Sequence, residues 1–201
     1  MWGELPLQPH THPFTSMLAL LPGADVDSRE GVAGLRERLI VLSSPSKCFN
    51  IATLNFAYAV IPDAKLRGAF RAAGADMAEV PRFGYFGALA AYGHPESEAW
   101  RQRLLAYLLS NRDYCVQVLG AVPGLRCTRP ESSYLLWVDA SGLLSPGTDA
   151  ARLLLQHGVA VNQGPSFGAA PTCFRLNFAC HRPVLERGLE RVVMALTSSA
   201  R

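Results

Sequence analysis

Residues 96–121 form one helix-forming stretch free of proline, opened by Gly93-His94-Pro95-Glu96 and stopped by Pro123-Gly124. So long a helix has to bury a face along most of its length. Trp100, Leu104, Leu108, Tyr114 and Val118 are spaced for one apolar stripe. The stretch divides the chain into residues 1–95 and a second domain, 96–201, that begins with the helix itself.

On either side, short apolar runs alternate with helical patterns, so the chain reads as α/β. Residues 1–16 read as loop, and 17–37 as a surface insertion carrying Gly23, Asp25, Asp27, Gly31 and Gly34. A strand is expected at 39–42, a helical turn near 47–54, a second strand at 55–61 closed by Pro62, and a helix at 64–73 stopped by Gly74. Residues 81–84 read as irregular and 86–92 as helical. Beyond the long helix, strands are expected at 133–138, 159–162 and 173–178, with helices at 149–157 and 183–197. The second half is thus a small α+β domain.

Hydrophobic residues make up 49% and charged residues 17%, too apolar for a disordered chain, yet no apolar run reaches the roughly 18 residues of a membrane span. The opening Met1-Trp2-Gly3-Glu4-Leu5-Pro6 lacks a basic region followed by an apolar stretch, so a cytoplasmic location is the default expectation. Cys48, Cys115, Cys127, Cys173 and Cys180 match neither a disulfide framework nor a zinc-site spacing, and read as buried or free thiols with no metal. The net charge of +3 is interspersed along the chain, leaving no footprint for nucleic acid.

Of the 19 basic residues 17 are arginine, and only Lys47 and Lys65 are lysine. Lysine alone offers a primary amine able to attack a carbonyl, whereas a guanidinium stays charged. Lys65 sits in the polar first turn of a helix and reads as solvated. Lys47 closes Ser44-Pro45-Ser46-Lys47, a strand-to-helix turn whose hydroxyls and backbone donors suit either a phosphate or an ordinary helix cap. Arg175 stands alone in the apolar run Phe174-Arg175-Leu176 and needs either a carboxylate ligand or a structural acid. His94, His157 and His181 lie at helix ends or in loops, where solvation or capping is expected. His10 and His12 are loop residues beside proline, and Cys48 lies next to the lysine; none of the three is taken as a base or nucleophile.

Ser44-Pro45-Ser46-Lys47-Cys48-Phe49-Asn50-Ile51-Ala52 resembles the segment around the pyridoxal-phosphate lysine of the MalY/PatB-type cystathionine β-lyases, in the class I/II aminotransferase superfamily. Further segments resemble the same family in its own order. They are Trp2-Gly3-Glu4 with His10-Thr11-His12-Pro13-Phe14, then Ser132-Ser133-Tyr134-Leu135-Leu136-Trp137-Val138-Asp139. The last group comprises Gly158-Val159-Ala160-Val161-Asn162, Phe167-Gly168 and Phe174-Arg175-Leu176-Asn177-Phe178-Ala179-Cys180.

The resemblance implies part of the large domain of fold type I over 1–95, then the linking helix and small α+β domain over 96–201. It implies pyridoxal 5'-phosphate as cofactor, carried by Lys47, with Ser44 and Ser46 near its phosphate and Arg175 on the α-carboxylate of an amino-acid substrate. It also implies β-elimination from cysteine conjugates, with an aminotransferase as the alternative, and a homodimer. Asn55 stands where many aminotransferases carry a second arginine, which favours the lyase branch, and Thr53 replaces a usual glycine. Met1 falls just beyond the position of the family's aspartate to the pyridine nitrogen. The corresponding alternative is a non-catalytic remnant or gene-model fragment.

Overall fold

Val41–Ser43 (β1) and Tyr58–Val60 (β2) pair antiparallel, Val41 opposite Val60 and Ser43 opposite Tyr58, and the chain between them is the turn that carries Lys47. The computed structural model describes residues 2–7, 14–21, 32, 34–74 and 79–199. The expectations at His10, His12 and most of the insertion at 17–37 fall outside that set. Two compact units are present, Met1–Arg103 and Leu104–Arg201, and the division falls within the long helix.

In the first unit, Ala64–Ala72 (α1) starts at Asp63, whose carboxylate accepts from Leu66 N at 2.6 Å and satisfies one of the orphan donors of the first turn. Arg82–Gly93 (α2) begins earlier than the sequence suggests, since Gly84, read as irregular, is buried inside it. A Cβ on Gly84 would stand 2.3 Å from the Leu54 carbonyl oxygen, so glycine here permits close approach of α2 to the turn after Lys47 and does not break the helix. Glu4 ties the front segment in. Its Oε1 accepts from Tyr92 at 2.7 Å, and its backbone carbonyl accepts from Arg101 at 3.0 Å.

Pro95–Gly120 (α3) carries the stretch foreseen at 96–121, but its buried face is rotated from the expected stripe. Of that stripe Leu108 is buried, Leu104, Tyr114 and Val118 are half-buried and Trp100 is exposed, whereas Leu105, Asn111, Arg112, Cys115 and Leu119 are buried beside Leu108. The stripe is displaced because two polar side chains lie inside it with partners from distant sequence. Asn111 donates to the carbonyls of Phe178 and Cys180, each at 3.0 Å, and Arg112 donates to Pro130 O at 3.1 Å and to Asp113 Oδ1 at 2.8 Å.

The second unit packs helices on a four-stranded antiparallel sheet, in the order β3-β4-β6-β5. Its strands are Arg126–Cys127 (β3), Leu135–Asp139 (β4), Asn162–Gln163 (β5) and Cys173–Asn177 (β6). β3 was not foreseen, because two residues carry no period. Ala150–Gln156 (α4) is capped by Asp149, and Arg182–Ser198 (α5) starts with proline in its first turn, where the missing N–H costs nothing. Leu136, Val138, Phe174 and Leu176 of the sheet are buried, as are Leu154 of α4 and Leu185, Leu189 and Val192 of α5, as strand alternation and an amphipathic helix require. No described helix is long and apolar enough to cross a membrane.

Arg126 on β3 contacts Asp139 on β4 at 2.7 Å across directly paired positions. Burial pushes the Asp139 carboxyl up, but the Ser141 hydroxyl, the Ser141 N–H and Arg126 outweigh it and bring it down to about 2. A depressed carboxylate stabilises the fold above its unfolded pKa near 4 and loses that contribution as pH falls towards 2. Asp139→Asn should remove this acid-sensitive component. In melting curves between pH 4 and 2 the variant should lose about 1 kcal/mol less than wild type, once screening of the exposed arginine is allowed for.

Candidate functional site

The turn after β1 is built by hydrogen bonds that use the serine pattern in full. Ser44 is buried, and its Oγ lies 2.6 Å from Phe56 O and 2.6 Å from Ser46 Oγ, while accepting from Ser46 N at 3.1 Å. Ser44 has a single proton. When that proton goes to the Phe56 carbonyl, the Ser46 hydroxyl donates to Ser44, which clamps the two ends of the loop together. Pro45 O then accepts from Phe49 N at 2.9 Å and Ser46 O from Ile51 N at 3.2 Å, making the helical turn expected near 47–54. The strand expected from residue 55 begins only at Tyr58, because Asn50 and Asn55 take left-handed conformations, φ 55 and 51. Asparagine is among the few non-glycine residues suited to that region, which accounts for Asn55 better than an arginine would.

Lys47 leaves this turn exposed and has no hydrogen-bond or ion-pair partner among the described residues. Its neighbour Cys48 points the other way. It is 1% exposed, its thiol lies 3.6 Å from Glu4 O, and burial pushes its pKa up to about 12, which suits packing and not nucleophilic attack. Lys65 lies exposed on the first turn of α1. A cavity of about 690 Å³ in the same unit is lined by Phe49, Ile51, Trp100, His94 and Arg103. It lies between α2, the start of α3 and the turn that follows Lys47, and Lys47 does not line it.

Arg175 is in the second unit, on β6, where Trp137 of β4 and Asn162 of β5 are its register partners on either side. One terminal nitrogen donates to Asn162 Oδ1 at 3.2 Å, and Cζ lies 4.6 Å from the centre of the Phe167 ring. No acid pairs with it among the described residues. Its Nε is buried and meets no acceptor there, whereas buried donors are nearly always satisfied. Of the histidines, His157 Nδ1–H donates to Leu153 O at 3.0 Å at the end of α4, the capping role expected of it, and His94 Nδ1 accepts from Glu96 N at 3.2 Å. All five cysteines are free.

The sequence singled out Lys47, Ser44, Ser46 and Arg175; it did not single out Asn162 or Phe167 as contacts of the arginine. The signal for Asn162 lay in strand register, which a single sequence does not show. In the first unit, an amine that is exposed and has no partner among the described residues sits on a hydroxyl-lined turn, a setting that suits a phosphorylated aldehyde. In the second unit, a guanidinium whose buried donor meets no acceptor among the described residues stands on a strand, a setting that suits a carboxylate.

Residues 17–192 match the family described as aminotransferase class I and II. The chain is 31% identical over 160 residues to the cystathionine β-lyase of Corynebacterium glutamicum, a match covering 78% of this chain and 42% of that protein. Among solved structures, that of OvoB superposes with TM-score 0.80 at 36% identity over 97% of this chain and 47% of the other. The pyridoxal-phosphate-bound C–S lyase of Staphylococcus hominis, complexed with L-cycloserine, superposes with TM-score 0.71 at 26% identity over 85% and 43%. Aminotransferases are among the curated relatives too. The chain therefore spans a little over two fifths of the length of the curated relatives it matches. Its α/β architecture is part of the fold those pyridoxal-phosphate proteins share, and it belongs to the aminotransferase class I and II family, whose cofactor is pyridoxal phosphate.

Proposed function

We propose that this chain supplies the cofactor lysine and the carboxylate-binding arginine of a carbon–sulfur β-lyase acting on cysteine conjugates of the cystathionine type. The observation that carries this reading is Arg175, a half-buried cation without an acid partner among the described residues and with a buried donor unmet. A guanidinium in that state suits the α-carboxylate of an amino acid, which takes two parallel N–H donors. The sequence similarity to cystathionine β-lyases supports the reaction type; Asn55, at a position where the family resemblance puts a second arginine in many aminotransferases, favours lyase over aminotransferase.

Lys47 would hold the cofactor through its amine and, once released, take the proton from the substrate's Cα. Ser46 would donate to the phosphate, and Ser44 would hold the turn's shape from beneath. When bound, pyridoxal phosphate supplies a sink for the electron pair left on Cα. The Cβ–S bond then breaks with its electrons leaving on sulfur, and the overall change is conjugate plus water to thiol, pyruvate and ammonium. Arg175 holds the carboxylate throughout, which fixes which bond at Cα is broken.

The 201-residue chain, loaded with pyridoxal phosphate and given L-cystathionine, should release pyruvate and thiol in equal amounts. It should do so without needing a 2-oxo acid. Turnover that requires a 2-oxo acid would replace this reading with the aminotransferase one. Cofactor attachment with no turnover of either kind would leave a family member that keeps the site without the reaction.

A further inference from the structure

Because Trp137, Arg175 and Asn162 are register partners across β4, β6 and β5, they form one row on one face of the sheet. The turn that follows β5, Gly164–Phe167, brings Phe167 back over that row. Its ring meets Trp137 edge-on, with centroids 5.6 Å apart and planes at 88°, and takes the Arg175 guanidinium on its face. Trp137 thereby fixes the ring, the ring fixes one plane of the guanidinium, and Asn162 Oδ1 fixes one of its terminal nitrogens.

Neither restraint carries a negative charge. A structural ion pair would have placed an aspartate or glutamate at position 162 and cancelled the charge; an amide oxygen and a π face leave it intact for an incoming anion. They also remove, before binding, the rotamer freedom that a long side chain otherwise loses on capturing a ligand. We infer that Asn162 and Phe167 are positioning residues that preset the Arg175 guanidinium as a receptor for the α-carboxylate of an amino-acid substrate. The inference rests on the carboxylate role proposed above for Arg175.

The test uses the whole chain made with isotopically nitrogen-labelled arginine. The Arg175 Nε–H resonance is assigned by its loss in Arg175→Lys, and sodium acetate is the probe, with sodium chloride at matched ionic strength as control. Wild type should show slow exchange of this proton with water and a shift on acetate that chloride does not give. Phe167→Leu and Asn162→Ala should each speed that exchange about tenfold and weaken acetate binding about fivefold, since each removes one restraint on a charged donor. Phe167→Tyr, which keeps the ring face, should retain both properties. Asn162→Asp should keep the proton protected and abolish the acetate shift.

Unchanged exchange and acetate affinity in both Phe167→Leu and Asn162→Ala would overturn the positioning role while leaving the carboxylate role of Arg175 standing. An acetate titration that moves nothing in wild type would remove the carboxylate role and this inference with it. Phe167 is 46% exposed and Asn162 is exposed too, so these substitutions leave the core packing in place.

Discussion

Lys47→Ala is expected to abolish reductive attachment of pyridoxal phosphate at this turn, with labelling of its peptide down roughly a hundredfold or more, because no other group on the turn is a primary amine. The fold is expected to survive. The Lys47 side chain is exposed and has no partner among the described residues, so its removal falls within the ±0.5 kcal/mol or so typical of surface substitutions. The measurement is visible absorption of chain mixed with cofactor, then borohydride reduction and peptide mapping, with far-ultraviolet circular dichroism on the same samples. Labelling shared equally between Lys47 and Lys65 would sink the assignment. Lys65 is the internal control, since it too is an exposed lysine but sits on a helix first turn with no serine pair before it.

The second large effect is expected at Gly164. A Cβ there would stand 2.3 Å from Ala170 O and 2.7 Å from Cys173 O, backbone atoms at the entry to β6 that have nowhere to move. Gly164→Ala should therefore cost about 3 kcal/mol, at the upper end of ordinary overpacking, because the clash is with backbone and not with the end of a flexible side chain. Gly164 is also the root of the turn that carries Phe167, so acetate binding at Arg175 should weaken in parallel with the fall in melting temperature. Gly188→Ala is the matched control, since a Cβ there meets nothing within 4 Å and the residue lies inside α5. A Gly164→Ala melting curve that overlays wild type would refute the close-packing account of this turn.

The legible features were those whose cause is local. Asp63 and Asp149 cap helices where turn residues precede apolar periods, and β1, β6, α1, α3, α4 and α5 lie near their expected places. Other expectations failed where a distant partner decided. The stripe through Trp100, Leu104 and Tyr114 is as good a period as the buried one, and Asn111 and Arg112 would be placed on the solvent side by any local rule. They are buried because carbonyls of Phe178, Cys180 and Pro130 lie opposite them. Gly84 reads as a helix breaker until the Leu54 carbonyl beside it is known.

The candidate site divides along the same line. Local chemistry drew attention to Lys47, an amine on a serine-lined turn, and to Arg175, a lone cation in an apolar run, but left each open between a functional and a structural role; the resemblance to the family is what pointed them to a cofactor and a carboxylate. Which partner Arg175 lacks and which neighbours hold it were decided by strand register and by one returning turn, which set Asn162, Phe167 and Trp137 around it. Residue type is a property of the chain and carries the chemistry wherever it goes. Proximity between residues 137, 162, 167 and 175 exists only once the sheet has formed, since hydrogen bonds between strands, not order along the chain, set what faces what.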